Sequence, residues 1–212
     1  LKHPFNTGFD IALFGNRLLL SANYYNSRTT DMLYLYNVSV PPFTYNTLLA
    51  NIGSMRNWGT EIAIGITPLK TKDMELNINA NITFQRNKLL SLSGMYNGEM
   101  LSASEYKSLA SLDGAGFHGG YNHIVYQMVG QPLGVFYLPH STGLESDGNG
   151  GYTYGIADLN GGGVSLEDGE DRYVAGQAVP KTILGSNISF RYKRFDLSLQ
   201  INGAFGHKIY NA

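Results

Sequence analysis

Residues 74–85 run Met74-Glu75-Leu76-Asn77-Ile78-Asn79-Ala80-Asn81-Ile82-Thr83-Phe84-Gln85, and apolar and polar side chains alternate through them without a break. A period of two places Met74, Leu76, Ile78, Ala80, Ile82 and Phe84 on one face of a β-strand and Glu75, Asn77, Asn79, Asn81, Thr83 and Gln85 on the other. A tilted strand needs about 9–11 residues to cross the hydrocarbon core of a bilayer, whereas strands of soluble domains usually have about five or six. Apart from Glu75, the polar face carries amides and hydroxyls in place of the lysines and glutamates of a solvated sandwich. That combination points to a strand with one face on lipid and the other on a water-filled barrel lumen.

The same alternation spreads outward from this segment. Trp58, Thr60, Ile62, Ile64 and Ile66 alternate with Gly59, Glu61, Ala63, Gly65 and Thr67, and Lys70 to Asp73 form the turn between the two strands. Upstream, Phe5, Thr7, Phe9, Ile11 and Leu13 alternate with Asn6, Gly8, Asp10 and Ala12, and Gly15-Asn16 supplies a tight hairpin turn. Downstream, Leu184, Ile188, Phe190 and Tyr192 oppose Gly185, Asn187, Ser189 and Arg191. After Lys193-Arg194, Phe195, Leu197, Leu199 and Ile201 oppose Asp196, Ser198, Gln200 and Asn202. Three hairpins follow, at about 5–33, 57–88 and 182–208, separated by longer connections over about 34–56 and 89–181. Short turns alternating with long loops match the periplasmic and extracellular ends of an outer-membrane barrel. Phe14, Tyr192 and Phe195 fall near the short turns and Tyr24, Tyr25 and Trp58 toward the long loops, as aromatic girdles do. The fold class expected is therefore all-β: an antiparallel transmembrane β-barrel segment of about six strands. Six strands cannot close a barrel, so the chain reads as an internal piece of a larger one.

Composition agrees. Only 15% of the 212 residues are charged, against roughly 25% in typical soluble domains. There are 26 Gly, 15 Tyr and 10 Phe, a mixture suited to twisted strands and aromatic belts. A net charge of −1 gives no electrostatic case for a nucleic-acid partner. With no cysteine, disulfides and thiolate metal sites are excluded. No run of about 18 apolar residues marks a transmembrane helix, and the start, LKHPFNTG, does not read as a signal peptide.

The candidate functional residues are the polar-face side chains expected to line the lumen: Asp10, Asn23, Glu61, Glu75, Asn77, Asn79, Asn81, Asn187, Gln200 and Asn202. Their carboxylates read as isolated lumen groups rather than as a catalytic pair. Gly114 to Gly119 matches a dinucleotide fingerprint, but no strand and helix flank it as that motif requires. His118 and His123 read as loop histidines, and the three Asn-x-Ser/Thr sequons as chance. No nucleophile elbow or triad is visible, so no enzyme is expected.

Several longer stretches carry a family resemblance. FNTGFDIALFGNRLLLSANYYNSRTTDML (5–33), NIGSMRNWGTEIAI (51–64), GQPLGVFY (130–137), DLNGGGVSLEDGEDRYVAG (158–176) and PKTILGSNISFRYKRFDLSLQINGAFGHKIYN (180–211) occur in that order. Together they resemble the SusC/RagA-like, TonB-dependent outer-membrane transporters. The resemblance implies a barrel of about 22 strands around a plug domain, energised by TonB through an N-terminal part, and lidded by a SusD-like surface lipoprotein. It implies import of an oligosaccharide or, in some members, a peptide, across a bacterial outer membrane. The family's calcium-like loop, Asp-x-Asn-x-Asp-Gly, corresponds here to Asp158, Asn160 and Gly162, with later acids including Asp168 shifted by two residues. No cofactor is expected; Ca²⁺ at Asp158, Asn160 and Asp168 is the one candidate, weakened because Gly162 replaces an acidic ligand. Two other readings stay open at this point: a passive porin or adhesin barrel, and a soluble β-sandwich that binds glycans through Tyr121, Tyr126, Tyr137 and Tyr152.

Overall fold

A computed structural model describes residues 1–103, 106–112, 122–165 and 170–210. Among them the regular structure is all strand, and no helix is long and apolar enough to cross a membrane. Four long strands come first: β1 (Lys2–Leu13), β2 (Leu18–Asn37), β3 (Thr47–Lys70) and β4 (Met74–Ser91). Eight short ones follow: β5 (Ser93–Tyr96), β6 (Glu99–Ser102), β7 (Tyr106–Leu112), β8 (Asn122–Met128), β9 (Val135–Pro139), β10 (Ser141–Ser146), β11 (Tyr152–Ile156) and β12 (Arg172–Gln177). The chain then returns through β13 (Thr182–Tyr192) and β14 (Phe195–Phe205).

The six long strands make one antiparallel sheet in the order β1-β2-β3-β4-β13-β14. Thus β4 pairs directly with β13 although the chain between them builds a separate elaboration. Pairing is continuous through the middle of the sheet. Register breaks in the β2–β3 and β3–β4 ladders fall between Thr29 and Leu33, between Ser54 and Met55, and between Ile66 and Leu69. The last of these sits at Pro68, which has no N–H to give to the ladder and is confined to bulges or edges. Adjacent turns at the short-turn end are tied together, since Lys193 N–H donates to the Asp73 carbonyl at 2.7 Å.

Two expectations about connections need correction. The tight turn at Gly15-Asn16 is a four-residue connection from Phe14 to Arg17, because β1 and β2 pair only as far as Leu13 and Leu18. Phe14, Gly15 and Asn16 all take positive φ there. The connection expected over 34–56 is much shorter, since β2 runs to Asn37 and β3 starts at Thr47. The alternation fades there because the strand ends are apolar on both faces: Tyr36, Ala50 and Leu101 are buried together, with Tyr34, Leu48 and Ile52 against them. The excursion expected over 89–181 holds eight short strands, β5 to β12, among its described residues. β12-β9-β8-β7 form one sheet, with β5-β6 and β10-β11 as separate hairpins. Val135 and Tyr137 pack with buried Tyr126 inside it, and Tyr126 meets Tyr137 edge-on at 5.3 Å. Gln131 anchors the excursion to the barrel strand, accepting the Leu89 N–H at 2.9 Å.

Close approach inside the sheet is made possible by glycine at two positions with different consequences. A Cβ at Gly59 would fall on the Phe84 carbonyl oxygen and the Tyr25 ring, whereas one at Gly185 would meet only the Asn81 side chain. Backbone cannot rotate away and a side chain can. Gly59→Ala is expected to destabilise the assembled full-length barrel by about 1–3 kcal/mol, the usual range for overpacking, and Gly185→Ala by clearly less. Denaturant midpoints followed by heat-modified gel mobility check the order, and the reverse order would contradict this packing.

Candidate functional site

Register sorts the side chains of the six-stranded sheet onto two faces of opposite character. Leu20, Ile64, Ala80, Ser186 and Ile201 lie in one row, and Leu18, Ile66, Ile78, Ile188 and Leu199 in the next. On the other face, Asp10, Ser21, Ala63, Asn81, Gly185 and Asn202 pair across all six strands. Beside them run Ala12, Leu19, Gly65, Asn79, Asn187 and Gln200. Asn23 stands opposite Glu61, and Asn77 opposite Ser189. All ten residues singled out in the sequence, from Asp10 to Asn202, share this second face.

The polar face is the concave one. A hollow of about 620 Å³ on it is lined by residues of all six strands, Asp10, Asn79, Asn81, Asn187, Gln200 and Asn202 among them. A flat sheet has no such common hollow; a curved sheet has it on the inside of the curve. The convex face is left open, with Phe9 53%, Leu199 51% and Phe195 76% exposed. In water that amount of contiguous apolar surface would be unusual; against lipid it is the expected surface. The distance between aromatic tiers agrees. Met74 pairs with Tyr192, which pairs with Phe195, and Phe84 lies ten residues further along β4. At roughly 3.3 Å per residue and a tilt of about 40°, that separation is about 25 Å, the height of an outer-membrane apolar band.

Most of the lining is neutral; Glu75, Arg191 and Asp196 are grouped near the short turns, while Glu61, between Asn23 and Thr83, lies toward the other end of the sheet. Arg191 Nη2 lies 2.8 Å from Glu75 Oε2, and Asp196 is its partner on the other side. Asn77 Nδ2 donates to Glu75 Oε1 at 3.1 Å, and Thr67 Oγ1 donates to Asn77 Oδ1 at 2.8 Å. Arg191 was not singled out in the sequence. The usable signal was its place two residues before one turn while Glu75 sits just after another, which matches them across the sheet.

The Asp158 loop is closed on itself. Asp158 accepts the N–H groups of Gly161 and Gly163, and Asn160 Oδ1 accepts that of Gly162. Asn160 Nδ2 donates to Glu170. Asp171 is fully buried and accepts from Ser165 at 2.8 Å and Leu159 at 2.6 Å. Those amides hold its carboxyl below the usual carboxylate range. Asp168 lies outside the described residues, as do Gly114 to Gly119, His118 and Tyr121. A hard cation needs about six oxygens. Gly162 contributes no side-chain ligand, and the carboxyl and amide oxygens of Asp158, Asn160 and Asp171 accept loop N–H groups. Among the described residues no group of three or more His, Cys, Asp or Glu converges on a metal position.

Comparison with known proteins gives a consistent result. The family model for "TonB dependent receptor-like, beta-barrel" matches residues 5–205. TonB-dependent receptor P3 of Formosa agariphila is 30% identical over 96% of this chain and 20% of its own length. TonB-dependent receptor SusC of Bacteroides thetaiotaomicron is 24% identical over 97% of this chain and 19% of its own. Among solved structures, the RagAB peptide importer in its open-open state superposes with a TM-score of 0.71 at 20% identity, covering 97% of this chain and 20% of the solved one. The chain thus spans about a fifth of the length of the relatives it matches.

If the convex face meets lipid, Arg at Ile78 or Leu199 should cost about 2–4 kcal/mol near the midplane, while Arg at neighbouring Asn79 or Gln200 should be tolerated. Outer-membrane yield and heat-modified mobility of the full-length variants measure this. Equal damage at both pairs would refute the assignment of faces.

Proposed function

Because the chain belongs to the TonB-dependent receptor β-barrel family, we propose that it forms part of the wall of an outer-membrane importer for an oligosaccharide or a peptide. The observation that carries this reading is the concave hollow shared by all six strands, whose polar lining is almost entirely uncharged: Asn79, Asn81, Asn187, Gln200 and Asn202 with a single carboxylate, Asp10. Such a surface exchanges hydrogen bonds with hydroxyls or amides as easily as water does, so it holds neither kind of solute tightly. Import requires that: a strongly charged or apolar wall would trap a solute rather than pass it. The reading needs no covalent step.

The wall is one arc of a closed structure. β1 and β14 are the edges of the sheet, and an edge in hydrocarbon would leave its backbone groups unpaired. Both edges therefore pair with other strands of a barrel of about 22, and TonB acts on the plug that such a barrel surrounds. A passive porin needs no plug, and it fits less well because this chain's relatives carry TonB dependence in their names. The soluble sandwich is disfavoured by the open convex face.

A SusD-like lipoprotein is the partner proposed for the extracellular side. The β10–β11 hairpin offers it a surface, with Leu144 65%, Tyr152 75% and Tyr154 55% exposed. The RagAB assembly, to which the chain is similar in fold, is described as a peptide importer; for this chain an oligosaccharide is the first candidate and a peptide the second.

The hairpin can be removed cleanly, since Ala157 N–H already donates to the His140 carbonyl at 2.9 Å and brings its two ends together. Replacing residues 141–156 of the full-length protein with a short Gly-Ser link should leave barrel assembly intact. Lipoprotein co-purification or uptake of the native substrate should fall. A shortened protein that assembles, keeps its lipoprotein and imports at the normal rate would show that the hairpin is not part of the lid contact.

A further inference from the structure

The convex face changes character abruptly at its extracellular end. Tyr24, Thr60 and Phe84 pair across three strands as the upper aromatic tier, followed by Asn26, Trp58 and Arg86. The next tier is Arg28, Arg56 and Lys88, directly opposite one another across β2, β3 and β4, with His3 of β1 opposite Arg28. All three cations are exposed. Like charges directly opposite on neighbouring strands, about 5 Å apart, destabilise a sheet, so a row of three calls for a counter-charge.

The sheet does not provide one. Of its acids, Asp10, Glu61, Glu75 and Asp196 lie in rows of the concave face, and Asp31, at the Thr29–Leu33 register break, is 3.6 Å from the Leu1 ammonium group rather than paired with the row. Among the described residues none of Arg28, Arg56, Arg86 or Lys88 forms an ion pair. Arg56 Nε donates to Asn26 Oδ1 at 2.9 Å, and the guanidinium lies 5.0 Å from the centre of the Trp58 ring. Those contacts hold the group in place and neutralise none of its charge. Arg86 is likewise held by the Gln85 and Lys181 carbonyls. The row lies two residues above Trp58 and four above Tyr24 and Phe84. That is roughly 5–10 Å above the apolar band once strand tilt is included, at the depth of lipid headgroups.

We infer that Arg28, Arg56 and Lys88, supported by Arg86, form a binding site for the phosphates of a phosphorylated lipid of the outer leaflet. The inference rests on the membrane-barrel reading above and adds an annular lipid partner to it. Guanidinium groups match phosphate oxygens two at a time. A lipid is favoured over a soluble phosphate because the row continues a face whose lower tiers meet acyl chains, so one molecule satisfies both surfaces.

The test uses the full-length protein in detergent micelles and a fluorescent bis-phosphorylated lipid A, compared with the same lipid after dephosphorylation. The wild-type protein should bind the phosphorylated form preferentially, and excess inorganic phosphate should displace it only weakly. The combined variant Arg28→Gln, Arg56→Gln, Lys88→Gln should lose affinity on the order of a hundredfold, at about fivefold per cation near an anionic surface. Its own assembly should be unimpaired because repulsion is relieved. Lys70→Gln with Lys72→Gln, at the opposite end of the sheet, should change nothing. Should the triple variant fail to assemble, Arg28→Gln alone carries the same test with about a fivefold loss. Equal binding by variant and wild type, no preference for the phosphorylated lipid, or full displacement by inorganic phosphate would each overturn the site. A full-length protein absent from the outer membrane would overturn the barrel reading and this site with it.

Discussion

Cross-strand register governs both faces of the sheet at once. From Leu13–Leu18 at one hairpin to Tyr192–Phe195 at another, residues pair one for one, so rows such as Asp10-Ser21-Ala63-Asn81-Gly185-Asn202 run unbroken across six strands. Side chains alternate with a period of two. A slip of one residue at any pairing would move Asn79 and Asn81 to the convex side and Ile78 and Ile82 into the hollow. In hydrocarbon the slip would be costly in polar side chains alone, and each backbone group left without a ladder partner adds several kcal/mol.

The register breaks respect that constraint. They occur at Thr29–Leu33 and Ser54–Met55, beyond the upper aromatic tier, and at Ile66–Leu69, next to the short turns. Between them, Met55 to Ile66 pair without interruption on both sides. Irregular backbone is therefore kept to the two ends, where water or headgroups can satisfy it. Beyond that stretch the upper ends of β2 and β3 change purpose: Tyr36 and Ala50 bury against Leu101, at the start of the short-strand excursion.

What was legible in the sequence follows from the range of each signal. Parity is local, so the faces of Asn77, Asn79, Asn187 and Gln200 can be read from single strands, and Lys193-Arg194 marks its own turn. The resemblance carried by NIGSMRNWGTEIAI and the C-terminal hairpin found the family. The ends of β2 and β3 were not legible, because Leu33 to Tyr36 and Leu48 to Ile52 are apolar on both faces and show no single period. The eight strands of the excursion are short, and their core around Tyr126 and Val135 joins residues distant in sequence. Pairs across strands were equally hidden: Glu75 with Arg191, and the row of Arg28, Arg56 and Lys88, exist only once register is known. Asp171 was hidden among similar acids, and only its burial and the amides of Leu159 and Ser165 set it apart.

One face of this sheet is assigned to lipid and the other to a water-filled lumen. Spin labels placed one at a time at 76–82 of the full-length protein, reconstituted in bilayers, test that assignment most directly through collision rates with oxygen and with a polar nickel chelate. Oxygen maxima are expected at Leu76, Ile78, Ala80 and Ile82 and nickel maxima at Asn77, Asn79 and Asn81. A profile without a period of two, or one with the opposite phase, would contradict it.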